Sequence, residues 1–324
     1  IVYGTNESGL FPVLVVECKA PHVALTDDVY DQVLSYDEVI MANTVMITNG
    51  QELFTFAWND DEQTYSPLKS IPTYDELVSR QRLEFNPEQP SEWIRPTKDQ
   101  LRSAEVMDEF MEMGVLGEDT PDSLRPFILD LACFLMDTSG KLLPQRTNGL
   151  NILSDGGLRY TTFGNAAGGS WEGSYRYFIL EDGKGNHQIV SVTILGSLKS
   201  VNDPVFGTRK GRTMLIAAID DYEASHNSIQ LNLDKYTIAD GDRFTIWHDG
   251  TLTKGKQGAA RKSDVLDFVR ARAPELMSDD RERIILGTFD YAKDLTWQDQ
   301  SAVAFITRLL KYALIRDEYR KRVR

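Results

Sequence analysis

Glu17 and Lys19 close an apolar run, PVLVVECK over residues 12–19, and their types and spacing pose the first chemical question. Side chains alternate faces along an extended strand. Leu14, Val16 and Cys18 are therefore expected on one face, and Val13, Val15, Glu17 and Lys19 on the other. An acid and an amine are held side by side at the end of a strand. Taking charge out of water is costly unless it is paired or bound to a metal. Two readings follow: a strand end emerging into water with Glu17 and Lys19 as a solvated pair, or a site that uses both groups.

The surrounding pattern supplies the elements that would position them. Residues 1–4 and 12–19 are β-branched runs flanking a polar, glycine-containing loop, which predicts a hairpin. Thr26 is placed to cap a helix running to about residue 42, with Val29, Val33, Tyr36 and Ile40 on one face. A strand over 44–48, the Asn49-Gly50 turn and a returning strand over 52–58 complete a β-β-α-β-β order. Polar residues from Asn59 and prolines at 87, 90 and 96 then mark a linker. Thr97 with Gln100 is a capping-box pattern. Thr120-Pro121 predicts the start of a second helix, carrying Phe127, Leu131, Phe134 and Leu135.

The segment from Pro12 to Trp58 resembles the N-terminal nuclease domain of type I restriction-enzyme restriction (R) subunits, a PD-(D/E)xK nuclease, and in particular stand-alone relatives of that domain. The resemblance rests on the strand ending in Glu17-Cys18-Lys19, the Ala20-Pro21 exit, the helix with Gln32 and Tyr36, and the strand ending in Thr48-Asn49-Gly50. It implies a restriction-endonuclease-like α/β core and hydrolysis of DNA phosphodiesters in restriction or defence. It also implies a Mg²⁺ (or Mn²⁺) ion held by the Glu17 carboxylate and the Cys18 carbonyl, hard oxygens suited to such an ion. Lys19 would then support the attacking water or the developing negative charge. Gln32 and Tyr36 match the domain's QxxxY pattern and would hold Lys19 or a phosphate. Otherwise they are a polar surface residue and a packing tyrosine. Such a site needs a second acid, and the resemblance places an aspartate one or two positions before Ile1. Gly4 pairing near Val13 would bring that position opposite Glu17. No GxxxxGK[ST] loop occurs, so no ATP-driven motor is expected.

Character changes after about residue 143. Glycines crowd 149–173, and short alternating runs follow at 175–180, 188–195, 213–219, 228–233 and 243–248, with Gly183 and Gly185 punctuating one hairpin. They predict a β-sandwich or barrel. Ser263 should open a short helix, 284–286 form a last strand, and Thr296 cap a long helix. The expected class is α/β (α+β): a nuclease-like domain over 1–85, a helical linker over 86–143, and a β-rich domain over 144–324 with C-terminal helices.

Charge qualifies the nuclease reading. The 324 residues carry a net −14. Residues 1–150 hold 26 acids and ten bases, while 151–324 are nearly balanced at +2. Phosphate attraction needs a basic surface, so local clusters at 209–212, 254–262 and 316–324 become the candidates, the last foremost. Otherwise a partner delivers the DNA, or the chain is a nuclease-fold DNA-binding or assembly module without catalysis. A sensor role for the β-rich half is a third possibility. His22 follows the strand end. His187, His226 and His248 lack zinc spacing. Asp60-Asp61-Glu62 and Asp220-Asp221 read as loop acids, and Trp171, Tyr175 and Tyr177 as core or as an aromatic platform. Cys18 and Cys133 are the only cysteines, which argues against a disulfide framework and for a reducing cytoplasm. No apolar run reaches the length of a membrane span, so no membrane partner is expected. DNA, further restriction or defence subunits and a homo-oligomer are the partners expected.

Overall fold

The computed structural model describes all residues except 7–8, 22, 80–82, 86–94, 148, 165–169, 182–184, 186, 205–206, 221–225, 254–257 and 324, and the side chains of Asp27 and Tyr160. Glu7, His22, Pro87, Pro90, Gly183, Asp221, Arg324 and the first part of the 254–262 cluster thus lie outside the described residues. The chain forms a mixed α/β structure of two compact units, Ile1–Ile94 and Arg95–Arg324.

In the first unit, β1 (Val2–Asn6), β2 (Gly9–Cys18), α1 (Asp27–Ile40), β3 (Thr44–Thr48) and β4 (Leu53–Asn59) follow the expected order. β5 (Thr64–Pro67) and α2 (Tyr74–Ser79) extend it. The sheet runs β1-β2-β3-β4-β5. Only β2 and β3 pair in parallel, which demands a crossover connection, and α1 supplies it. Val15, Val45 and Ile47 pack against Val29 and Val33 of α1. Leu14 and Val16 pack on the other face with Leu77 and Val78 of α2. Val13 joins this second cluster rather than the Glu17 face; β1 and β2 shift register between Val2 and Tyr3. Gly4 pairs with Phe11, two residues from the expected Val13, and the ladder ends at Val2 opposite Leu14. No described residue of β1 therefore stands opposite Glu17.

α1 differs from expectation at both ends. Thr26 occupies the cap position in an extended conformation, but its side chain makes no capping hydrogen bond. At the other end Met41 adopts the left-handed region and closes the helix on the Asp37 carbonyl. Asp37 is buried. Its carboxylate accepts the N–H groups of Ala42 and Asn43, each at 2.9 Å, and the Tyr65 hydroxyl. A buried acid so satisfied fixes the turn into β3.

The second unit comprises α3 (Ala104–Glu112), α4 (Arg125–Met136), β6 (Gln145–Thr147), β7 (Leu150–Gly164), β8 (Ser170–Glu181), β9 (His187–Gly196), β10 (Ser200–Asp203), β11 (Gly207–Arg209), β12 (Thr213–Asp220), β13 (His226–Asn232), α5 (Leu233–Tyr236), β14 (Thr237–Asp240), β15 (Arg243–His248), α6 (Lys262–Arg272), β16 (Ile284–Asp290) and α7 (Gln300–Val323). An antiparallel sheet ordered β13-β12-β9-β8-β7-β6 and a three-stranded sheet, β14-β15-β16, share one core with α4 and α7. Phe127 of α4 stacks on Phe244 of β15 with ring centres 4.3 Å apart. The helices expected to link two domains thus belong to this unit's core.

Local signals shift by a few residues. Thr97 and Gln100 do form the reciprocal box, but it opens a single 3₁₀ turn, and Ser103 caps α3. α4 starts at Arg125 with Pro126 in its first turn; Thr120 is instead buried between Thr213 and Asp234. α7 starts after Asp299, whose side chain accepts the Ser301 N–H, rather than at Thr296. β7 runs through part of the glycine-rich segment. Gly157 has φ +78° at a bulge, and a Cβ on Gly156 would lie 2.1 Å from the Tyr177 ring.

Two ionic arrangements hold the second unit together. Arg176 and Asp155 form a fully buried pair at 2.7 Å. Arg176 also donates to the carbonyls of Asp137 and Gly140 and lies over Trp297. Asp155 accepts the N–H groups of Leu142 and Gly157. On α7, Arg316 donates to the carbonyls of Ser228 and Thr251, and Arg320 to those of Ser228 and Thr253. Lys321 pairs with Asp317. Within the 316–324 cluster Arg316 and Arg320 are thus internal, while Lys321 and Arg322 are exposed.

Candidate active site

The carboxyl end of β2 is held from two sides. The parallel ladder aligns Glu17 with Ile47 and Cys18 with Thr48, and the Lys19 N–H donates to the Thr48 carbonyl at 2.8 Å. Successive residues of a strand address opposite neighbours, so the Cys18 carbonyl points to the β1 side, beyond the described Val2–Leu14 pair. Above this strand end, α1 packs through Val29 and Val33, which places Gln32 over Lys19 and Tyr36 one turn further on.

Four of the five residues singled out from sequence are joined by one chain of hydrogen bonds. Lys19 Nζ donates to Glu17 Oε1 at 2.6 Å and to Gln32 Oε1 at 2.7 Å. Gln32 Nε2 donates to the Tyr36 hydroxyl at 2.5 Å. The Glu17 and Lys19 side chains are 19% and 21% exposed, too buried for a freely solvated pair and open enough to meet a ligand. Tyr36 is exposed rather than part of the buried helix stripe. Glu17 Oε2 has no partner among the described residues.

Two further residues frame this site: Asn49, legible from sequence as a turn former within the Thr48-Asn49-Gly50 pattern, and Asp37, which gives no sequence signal. Asn49 is buried. Its Oδ1 accepts the N–H groups of Gln51 and Glu52, and its Nδ2 donates to the Val23 carbonyl at 2.9 Å. Asp37 anchors the far end of α1. Tyr30 packs against Phe56, and burial, followed by the charge of Asp31, pushes its phenol pKa up.

The weaker candidates separate. His248 is buried and its Nδ1 accepts the Gly250 N–H; His226 lies 3.0 Å from Asp317; His187 opens β9. Asp220 pairs with Arg159, and Glu62 accepts the Ser66 hydroxyl. Tyr175 is core. Among the described residues no three His, Cys, Asp or Glu side chains converge as a metal cage. Mg²⁺ commonly takes one or two carboxylates, with water and substrate phosphate completing its shell. The free Glu17 Oε2 and the Cys18 carbonyl suit one side of such an ion. Among the described residues Lys69 is the only other basic side chain of this unit, and it faces Glu84 at 3.7 Å.

An α/β sheet with an acid and a lysine at the end of a strand beside its crossover helix defines the class of the site. Residues 1–72, which hold all four hydrogen-bonded residues, match the family of the type I restriction enzyme R protein N terminus. The resemblance read from 12–58 is thus shown for this N-terminal segment, and with it a likeness to the restriction-type nucleases. No curated protein and no solved structure matches the chain. No helix among the described residues is long and apolar enough to cross a membrane.

Proposed function

We propose that residues 1–85 form a divalent-metal-dependent deoxyribonuclease acting in the cytoplasm against foreign DNA. The observation that carries this reading is the continuous chain from Glu17 through Lys19 and Gln32 to Tyr36. Glu17 and the Cys18 carbonyl would hold Mg²⁺ or Mn²⁺. When bound, such an ion lowers the pKa of its water and polarises the phosphoryl group. Lys19, held by Glu17 and Gln32, would stand where the phosphate gains negative charge. Gln32 spends its oxygen on Lys19 and its amide hydrogen on Tyr36. Tyr36 then has its own hydroxyl hydrogen left for a phosphate oxygen. The β-rich residues 144–324 would supply target recognition, regulation or contacts to other defence subunits or to a second copy.

Supercoiled plasmid incubated with Mg²⁺ or Mn²⁺ tests the proposal. The wild type should nick it, while Glu17→Ala and Lys19→Ala should lose at least about 100-fold in rate, as expected for groups that act on developing charge. Wild-type rates in either folded variant would overturn the assignment. A second reading, a non-catalytic DNA-binding or assembly module, is favoured by the excess of 26 acids over ten bases in residues 1–150. Absence of cleavage in every metal condition, with the same variants disrupting a partner complex, would support it.

A further inference from the structure

We infer that Asn49 is a positioning residue of the site, a role that rests on the nuclease reading above. Lys19 is followed by a tight turn, in which the Val23 N–H donates to the Ala20 carbonyl at 2.9 Å, before α1 begins at Asp27. This short segment joins the two elements whose side chains must meet: β2 with Glu17 and Lys19, and α1 with Gln32 and Tyr36. Among the described residues it is anchored from outside by the Asn49 amide, which donates to the Val23 carbonyl at 2.9 Å, and by Leu25 packing on the α1 core. The Asn49 side chain is locked in the β3–β4 turn by accepting from Gln51 at 2.9 Å and Glu52 at 2.8 Å.

Both ends of this bridge are tied to the site. β3, which leads into Asn49, receives the Lys19 N–H on its last residue, Thr48. Val23 lies three residues before the Thr26 cap of α1. Asn49 therefore fixes the start of α1 relative to the end of β2 and, through it, the 2.7 Å contact between Gln32 and Lys19. Only an amide serves all three bonds, because it offers a donor and an acceptor on one short, planar group. Misplacement of reacting groups by about 1 Å costs on the order of 100-fold in rate, so a loosened segment should show in turnover before it shows in substrate binding.

Asn49→Asp tests this, since it keeps the acceptor oxygens and sets a carboxylate oxygen against the Val23 carbonyl. Asn49→Ser is the milder companion, retaining a weak turn acceptor with no reach to Val23. Amide hydrogen exchange over 19–26 should accelerate in both, and kcat for plasmid nicking should fall roughly 10- to 100-fold with KM within about threefold. Asp37→Asn, at the far end of α1, should lower the melting temperature without accelerating exchange over 19–26. Unchanged exchange in a folded Asn49 variant would overturn the clamp. Faster exchange with wild-type kcat would overturn the positioning role. A wild-type chain that cleaves nothing sinks the nuclease reading and the catalytic half of this inference, while exchange still decides whether Asn49 holds the segment.

Discussion

The amide oxygen of Gln32 holds the ammonium of Lys19 at 2.7 Å, a contact made across 13 residues of sequence. It joins the strand end to the crossover helix, so neither half of the site is complete without the fold that brings them together.

Removal of that oxygen should cost turnover and little stability. Gln32→Ala is expected to slow nicking by roughly 10- to 100-fold through loss of orientation, with stability changed by no more than about 1 kcal/mol, as for other partly exposed polar contacts. Gln32→Glu keeps an acceptor for Lys19 but loses the donor to Tyr36, and should fall between wild type and Gln32→Ala. Single-turnover rates and thermal melts on the same preparations check both statements; equal rates in all three proteins would detach Gln32 from the chemistry.

Arg176 should be among the most sensitive positions for stability. Truncation to Ala strands Asp155 in the core and frees the carbonyls of Leu135, Asp137 and Gly140, which predicts a loss of about 3–5 kcal/mol. For a unit of this size the melting temperature should drop by roughly 6–20 °C. Trp297, 4.0 Å from the guanidinium, gives a local fluorescence signal for the transition. A change below about 1 kcal/mol would mean that the pair is not buried in solution.

Acid should weaken the second unit through His248. Burial, then the charge of Arg316 and the smaller effects of Lys235 and Lys262, push its pKa well below 6.5, against the opposing pull of Asp249. The unfolded chain therefore takes up this proton first. Stability is fully present above the ordinary imidazole range and is lost as pH falls below about 6.5. Urea titrations at pH 8, 6 and 5 should show this slope, and His248→Gln should flatten it by up to about 1.4 kcal/mol per pH unit. An unchanged slope would assign the acid sensitivity between pH 8 and 5 to groups other than His248 and Asp317. Burial raises the Asp317 pKa, but His226 and Lys321 hold it below its usual range overall, so its contribution fades only at lower pH.

Arg320→Ala should destabilise the protein rather than weaken any phosphate contact. Its guanidinium is spent on the carbonyls of Ser228 and Thr253. The log–log salt slope of DNA binding should thus stay as in the wild type, whereas one lost phosphate contact reduces it by about 0.9. A flatter slope in a folded variant would return this helix end to the DNA-binding surface.

Much of the site was legible because its parts are local: an acid and a lysine on one strand face, and a QxxxY spacing on one helix face. Asn49 was visible as a turn former and as part of the Thr48-Asn49-Gly50 pattern, but its bond to Val23 was not, since that reach depends on β3 lying parallel to β2. Asp37 gave no signal at all, because nothing in a helical pattern says which acid will turn inward to cap its own helix. In the second unit the strands at 175–180, 188–195 and 213–219 could be read from alternation. β7 could not: Gly156 and Gly157 look like a turn, whereas one makes room for Tyr177 and the other forms the bulge. On α7 charge in sequence does not show where a side chain ends: Arg316 and Arg320 turn inward, whereas Lys321 and Arg322 stay exposed.

The Ser228 carbonyl that Arg316 and Arg320 both grasp lies 88 and 92 residues before them in the chain, and Thr251 and Thr253 offer theirs 65 and 67 residues before. During synthesis, β13 emerges from the ribosome with the Ser228 carbonyl unpaired, and at 5–20 residues per second its partners arrive roughly 5–18 s later. In the first unit, by contrast, the described strands of the sheet all lie within residues 2–67. That unit should therefore be folded while the second half is still a nascent chain, and a ribosome stalled near residue 300 would display a finished first unit tethered to an unfinished second one.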